Sequence, residues 1–157
     1  MIANESGKSV PVNGTLTPTE CLTKGCIGQL SPSDVVSLIF SGFKLDDVTA
    51  MISLSKRYLT TQITERIFEK KRWSKQRQRS KDYPVRLSAH QSAVAFQYTK
   101  TLEHANVVFG KQETAEDWLS RPCPHLDGLI PLDLIDNAIS FQVVKDYLER
   151  IELGIYQ

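Results

Sequence analysis

The sequence lacks the features that most often identify a membrane protein, a secreted protein or a disulfide-rich protein. It has three cysteines, Cys21, Cys26 and Cys123, and their odd number and spacing disfavour both a disulfide framework and a zinc site. No run of about 18 apolar residues is present, and the first residues do not resemble a signal peptide. We therefore expect a cytoplasmic protein with reduced thiols, no membrane partner and no export signal.

Motifs of known catalytic chemistry are also missing. The sequence contains no glycine-rich phosphate-binding loop, no HExxH zinc motif and no GxSxG nucleophile motif. Asp133 and Asp136 could be regarded as an acid–base pair, but acidic residues are common near helix starts because they complement the helix dipole. The sequence therefore predicts a binding protein without a cofactor or a metal, and not an enzyme.

Charge is unevenly distributed along the chain, although the formal net charge is only +1. From Glu65 to Arg86 nine basic residues stand against three acidic ones, whereas from Lys111 onward nine acidic residues stand against four basic ones. A basic middle and an acidic end suggest two kinds of partner. The middle could contact an anionic polymer, and the end could contact a basic protein or a site built for an anion.

Helix signals begin after residue 30. Residues 1–30 are rich in Gly, Ser, Thr, Pro and Asn, and we expect them to form a flexible tail. Ser31 and Pro32 are typical of a helix start and Gly42 of a helix end, and a second helix is expected from Leu45 to Ser53.

The next segment is basic. A third helical piece is expected from about Ser55, and Thr64 is predicted to cap a fourth helix that runs through Arg72. Short helices joined by turns, the last of them basic, are the ingredients of a helix-turn-helix unit, so residues 31–86 are predicted to form one. The run from Trp73 to Arg86 is either an extension of the recognition helix or a solvated connector.

A long helix should join the two halves of the chain. Ser88 and Gln91 form a capping box that opens it, and it should end at Gly110. Further caps are predicted at Thr114 and Ser140. The long helix carries an apolar stripe at helical spacing, formed by Val94, Tyr98, Leu102, Ala105 and Val108. The predicted fold is all-α, with the helix-turn-helix-like unit and a compact C-terminal helical module, residues 87–157, joined by the long helix.

Four short motifs follow one another in the C-terminal module: Ala105-x-x-Val108-Phe109-Gly110, Ala115-x-x-Trp118-Leu119-x-x-Pro122, Leu126-x-Gly128-x-x-Pro131-Leu132-x-Leu134-Ile135 and Val144-x-x-x-Leu148-x-Arg150-Ile151-x-x-Gly154-Ile155-Tyr156. In order and spacing the set resembles the toxin-binding domain of the Xre/MbcA/ParS-type antitoxins, over about residues 87–156. Upstream, Ile63-Thr64-x-Arg66-Ile67-Phe68-x-Lys70-Lys71 is similar to the basic recognition-helix segment of that family.

The resemblance implies a type II antitoxin that binds a cognate toxin, often a RES-type protein that consumes NAD or ADP-ribosylates a target. It also implies that the antitoxin covers the active site of the toxin, represses its own operon by binding operator DNA, and forms a homodimer. Candidate DNA-binding residues come from the basic segment: Arg66, Lys70, Lys71, Arg72, Lys75 and Arg77. Candidate toxin-binding residues come from the last helix and the C-terminus: Tyr147, Glu149, Arg150, Glu152, Tyr156 and Gln157.

Different roles are expected within the toxin-binding set. Tyr147 and Tyr156 could be anchors, whereas Glu149, Glu152 and the terminal carboxylate could mimic the negative charge of a phosphate-bearing ligand. Arg150 could instead pair with an acidic neighbour on its own helix. Two alternatives stay open at this point: a stand-alone helix-turn-helix transcriptional regulator without a toxin partner, and a helical adaptor that has neither function.

Overall fold

The computed structural model of the chain describes residues 17–24, 30–68 and 85–155. Over these residues the chain forms α-helices and two 3₁₀ turns, with two isolated antiparallel bridges and no strand. The all-α prediction is therefore confirmed. The helices are α1 (Pro18–Thr23), α2 (Pro32–Ser41), α3 (Leu45–Ser53), α4 (Arg57–Ile67), α5 (Ala89–Phe109), α6 (Gln112–Leu119) and α7 (Ala138–Glu152); the 3₁₀ turns, Pro124–Leu126 and Pro131–Leu134, lie between α6 and α7.

Local capping signals set the starts of α2 and α5. The Ser31 hydroxyl accepts the backbone N–H of Asp34 at 3.3 Å, and the Asp34 carboxylate accepts the backbone N–H of Ser31 at 2.9 Å. Ser88 and Gln91 make the same reciprocal pair of bonds at 3.2 and 3.0 Å. Both helix starts are where the sequence predicts them, because each capping box satisfies backbone donors that a helix start leaves without partners.

Three predicted caps are wrong, because the hydroxyl residue lies inside a helix. Thr64 is in the interior of α4, where its hydroxyl donates to the carbonyl of Thr60 at 2.7 Å. Thr114 lies within α6, and Ser140 lies within α7. Thr64 shows that a hydroxyl bonded to the carbonyl four residues earlier is compatible with a helix interior, and in α7 the cap is Asn137 instead of Ser140, so residue type alone does not place a cap.

The start of α4 is stabilised by a residue distant in sequence. The N-cap of this helix is Lys56, which makes no side-chain cap. Its backbone N–H donates instead to the carboxylate of Glu116 at 3.0 Å, and the side chain of Gln112 donates to the other carboxylate oxygen at 2.6 Å. Glu116 is fully buried. A buried carboxylate at the positive end of a helix therefore links α6 to α4.

One helix lies within the predicted flexible tail. Thr17 and Glu20 form a capping box at the start of α1, and the backbone N–H of Thr19 donates to the Glu103 carboxylate of α5 at 2.8 Å. Leu22 is buried in the core. The tail prediction is thus corrected for residues 17–24, which form a capped helix that packs against α3 and α5 through Leu22 and the bond from Thr19 to Glu103.

The long helix α5 is the central element, as predicted, since it contacts α1, α2, α4, α6 and α7. Four of the five residues in its predicted stripe are buried, and the fifth, Val108, packs against the core. Its buried hydroxyls are also satisfied: Thr99 donates to the carbonyl of Ala95 at 2.8 Å, and the hydroxyl of Ser92 accepts the backbone N–H of Phe43 at 3.1 Å. The buried apolar residues of both predicted units form one hydrophobic core around α5.

Candidate partner-binding face

Helix α7 is the last described helix, and both its ends are fixed by local contacts. The side chain of Asn137 accepts the backbone N–H of Ser140 at 2.9 Å, which makes Asn137 the N-cap. At the other end Gly154 has a φ of 70°, and the backbone N–H of Ile155 donates to the carbonyl of Arg150 at 2.9 Å. Gly154 and the bond from Ile155 terminate the helix where the sequence predicts its end.

The side of α7 that faces away from the core carries apolar residues. Val144 and Leu148 point inward and are fully buried, whereas Ile139 is 83%, Val143 46% and Leu153 73% exposed. The outward residues follow a spacing of four, three, four and three, which places them on one helix face. We call this set the outward face: Ile139, Val143, Asp146, Arg150 and Leu153. A row of exposed apolar residues on a rigid helix is typical of a binding surface.

The charged residues of the predicted toxin-binding set make contacts within the chain. The Glu149 carboxylate lies 3.4 Å from the Lys145 ammonium, and a Glu152 carboxylate oxygen lies 2.8 Å from Nε2 of His104. The Nε of Arg150 donates to the carbonyl of its own helix neighbour Asp146 at 3.3 Å. Because exposed ion pairs contribute only about 0–1 kcal/mol, a partner could displace the Lys145–Glu149 pair at small cost.

An aromatic row crosses the C-terminal module beside α7. The ring of Trp118 lies 5.4 Å from that of Phe109 and 6.0 Å from that of Tyr147, and the ring of His125 lies 5.7 Å from Tyr147, measured between centroids. Tyr147 is half-buried in this row, so it packs against the protein itself as well as lying in the predicted toxin-binding set. His125 is exposed at the end of the row and was not predicted from the sequence, where no motif points to it.

A groove lies between α5 and α7. Its volume is about 400 Å³. Two phenylalanine rings contribute apolar surface, and lysine, histidine, threonine and glutamine side chains complete it. The lining residues are Phe96, Lys100, Thr101, His104, Phe141, Gln142 and Lys145.

Of the predicted DNA-binding residues, only Arg66 lies in the described part of the chain. It stands in the last turn of α4 and forms ion pairs with Asp133 and Asp136, which lie in and just after the second 3₁₀ turn. Burial raises the pKa of Asp136 from its ordinary value, although the nearby Arg66 guanidinium acts in the opposite direction. Lys70, Lys71, Arg72, Lys75 and Arg77, like the toxin-binding candidates Tyr156 and Gln157, lie outside the described residues.

The outward face and the aromatic row lie in a segment that matches the model of a known protein family. Residues 104–154 match the model of the antitoxin Xre/MbcA/ParS C-terminal toxin-binding domain. The resemblance found in the sequence is therefore confirmed. We call the matched segment, residues 104–154, the toxin-binding domain after the family model to which it is similar. No curated protein shows a significant match to the chain.

The toxin-binding domain runs from His104 in α5 to Gly154 just after α7. It contains the outward face, the aromatic row and both 3₁₀ turns. Arg66 and the groove residues on α5 before His104 lie outside it. In the part of the chain that the structure describes, no helix is long and apolar enough to cross a membrane.

Proposed function

We propose that this protein is an antitoxin that neutralises a cognate toxin by covering the active site of the toxin with the outward face of α7. The observation that carries the proposal is the position of that face within the segment that matches a toxin-binding domain. Ile139, Val143 and Leu153 expose apolar surface that no described residue covers. The proposed role is one of binding, and it requires no catalytic residue in this chain.

The proposed interface combines apolar and charged contacts. A stable protein interface buries about 1,600 Å² in total, and a few anchor residues supply most of its energy. Ile139 and Val143 are suitable anchors because they are exposed and lie one helical turn apart. Glu149 and Glu152, once displaced from Lys145 and His104, would present two carboxylates to a basic site on the toxin. Tyr156 and Gln157 are proposed to extend this contact.

A RES-type toxin that consumes NAD is the proposed partner, on the basis of the sequence resemblance. Growth and intracellular NAD in cells that express the neighbouring open reading frame, with and without this protein, provide the test. We expect arrest and NAD depletion from the neighbour alone, and recovery of both on co-expression. Arrest and rescue at steady NAD would retain the antitoxin and exclude an NAD-consuming toxin. A neighbour that is expressed and harmless would overturn the proposal.

A second proposed activity is repression of the operon of this protein by a helix-turn-helix-like unit, residues 31–86, which could also act without a toxin. It is supported by the basic segment that begins at Arg66. Asp133 and Asp136 already neutralise Arg66, so operator phosphates would have to replace them. We expect promoter DNA binding that weakens steeply with salt. DNA binding that is absent at low salt would remove this activity and leave the antitoxin role intact.

A homodimer is proposed for the free protein, again from the family resemblance. Light scattering coupled to size-exclusion chromatography measures the mass directly. A mass near twice the 17.7 kDa of the chain is expected, and a mass that stays near 17.7 kDa over a wide concentration range would exclude the dimer.

A further inference from the structure

Helix α2 turns an uncharged face to the solvent. Val36 is 50% and Phe40 75% exposed, and the helix contributes no buried residue to the core. The residues on this face follow the spacing i, i+3, i+4, i+7 and i+8, which places them on one side of a helix. We call this set the outer face of α2: Ser33, Val36, Ser37, Phe40 and Ser41. Two large apolar side chains thus stand among three small hydroxyl side chains.

The hydroxyls of the outer face already have acceptors within the chain. Ser37 and Ser41 each donate to a backbone carbonyl of the helix, at 2.9 and 3.0 Å. The Ser31 hydroxyl donates to the Asp34 carboxylate at 2.8 Å, so Ser33 is the donor in the 2.6 Å contact between the Ser31 and Ser33 hydroxyls. Because all three hydroxyl hydrogens are used, an apolar protein surface can cover the face without leaving an unpaired donor.

The charge pattern of α2 favours a second copy of this chain as the covering surface. Asp34 is the only charged residue of the helix, and its carboxylate accepts the backbone N–H and the hydroxyl of Ser31 at 2.9 and 2.8 Å. The outer face carries no cation for phosphates, which disfavours a nucleic acid. A two-fold axis brings a surface patch against the same patch of the other copy, so a face without charge meets no repulsion there.

The sizes of the side chains on the outer face also fit a two-fold contact. In an antiparallel pair of α2 helices centred between Val36 and Ser37, Phe40 of one copy lies opposite Ser33 of the other. Val36 then lies opposite Ser37. Each large side chain meets a small one, as the packing of ridges into grooves requires, and the two-fold axis repeats each contact.

The area of such a contact predicts a weak dimer. A phenylalanine side chain offers about 150–250 Å² of surface, so two copies of Phe40 at 75% exposure remove about 300 Å² from water. The helix is only about 15 Å long, and the contact is therefore smaller than a typical interface of about 1,600 Å². Formation of the dimer should depend on concentration, and it should stabilise α2, which has no buried residue of its own.

We propose that the outer face of α2 is the contact between two copies of this chain, with the two helices antiparallel across a two-fold axis. The proposal rests on the homodimer proposed above, and it assigns that dimer an interface outside the toxin-binding domain. None of the contact residues belongs to the outward face of α7. Each copy therefore keeps that face for a toxin.

The test measures the dissociation constant of the dimer by sedimentation equilibrium of the full chain and three variants. Val36→Asp with Phe40→Asp places charge on the outer face. Ser37→Trp adds apolar surface but fills a position that must stay small. The matched control is Ile139→Asp with Val143→Asp, because it makes the same change at two exposed apolar residues with the same spacing on α7.

We expect the dissociation constant of the dimer to rise about 100-fold or more for the charged α2 variant, about tenfold for Ser37→Trp, and less than about threefold for the control. Circular dichroism checks that each variant is folded, and Ser37→Trp keeps the test decisive if the charged variant does not fold. A dimer that Ser37→Trp strengthens would overturn the proposal, because apolar surface alone would then hold the copies together.

The other outcomes separate this interface from the functions proposed above. An original chain that stays monomeric at every concentration would refute the dimer and its interface together and leave the antitoxin role intact. A dimer that persists in both α2 variants would retain the homodimer and overturn the assignment to α2. Loss of binding to the product of the neighbouring open reading frame by the α2 variants alone would assign the outer face to the toxin, and would also overturn the proposal.

Discussion

Helices α2 and α7 both expose apolar side chains, yet they are attached to the protein in different ways. Helix α7 exposes Ile139 and Val143 and places Leu148 in the core, where it is fully buried. Helix α2 exposes Val36 by 50% and Phe40 by 75% but contributes no buried residue. The buried residues of α7 already determine its position, so its outward face is not needed to hold the helix in place. Helix α2 depends on its caps and on half-buried side chains instead.

This difference explains why we assign the partner surface to α7. A partner gains most from a face that is already held in its binding conformation, because little conformational entropy is then lost on binding. Helix α7 meets that condition through its core residues and lies in the toxin-binding domain. Helix α2 lies outside that domain. Apolar exposure alone does not separate the two helices.

The largest expected effect is on stability, and it compares the inward-facing side chains of α7 and α2. Leu148→Ala should lower the free energy of unfolding by about 3 kcal/mol, because it leaves a cavity in a closely packed core. Leu38→Ala in α2 should cost only about 1 kcal/mol, since Leu38 is half-buried. Denaturant unfolding of both variants measures the two costs. Equal costs would show that α2 is held by burial to the same extent as α7.

The next effect concerns the end of α2. Gly42 has a φ of +78°, and a Cβ atom there would lie 2.2 Å from the backbone oxygen of Leu87. Gly42→Ala should therefore lower the free energy of unfolding by about 2 kcal/mol or more. Gly110→Ala is the matched control, because Gly110 has a φ of +73° but no heavy atom within 4 Å of the added Cβ. The control should cost about 1 kcal/mol. A Gly42 variant no worse than the control would refute the close approach of α2 to Leu87.

The smallest effect concerns Asp136, where α4 meets the toxin-binding domain. Its raised pKa, due first to burial, means that the folded chain holds this proton more firmly than the unfolded chain does. Its contribution to stability therefore decreases as pH rises from about 4 through its folded-state pKa. Asp136→Asn should change stability at neutral pH by only about 0.5 kcal/mol or less, and should remove that decrease. The free energy of unfolding of both chains, measured between pH 4 and pH 7, provides the check. A variant with the same pH dependence as the original chain would contradict this account of Asp136.

The sequence predicted the elements whose signals are local. The starts of α2 and α5 follow from the capping boxes of Ser31 and Ser88, and the apolar stripe identified α5 as the central helix. Helix α1 carries the same kind of signal at Thr17, but the polar composition around it favoured a tail. The start of α4 could not be predicted in this way, because the group that satisfies Lys56 is Glu116, 60 residues later.

The candidate site was only partly accessible from the sequence. The family resemblance and the position of α7 were predicted, and the match to residues 104–154 confirms the resemblance. The engagement of Glu152 by His104 was not predicted, because it depends on how α5 and α7 pack. The groove has the same origin, since Phe96 and Phe141 come together only in the folded chain. The roles assigned to individual toxin-binding residues stay predictions.

The most direct measurement is the affinity of two matched double variants for the product of the neighbouring open reading frame. Ile139→Asp with Val143→Asp places charge on the outward face of α7, and Val36→Asp with Phe40→Asp does the same on α2. We predict that the α7 variant stays folded and loses about 100-fold or more in affinity, whereas the α2 variant changes by less than about threefold. Loss of binding by the α2 variant, with full binding by the α7 variant, would contradict the assignment of the partner surface to α7.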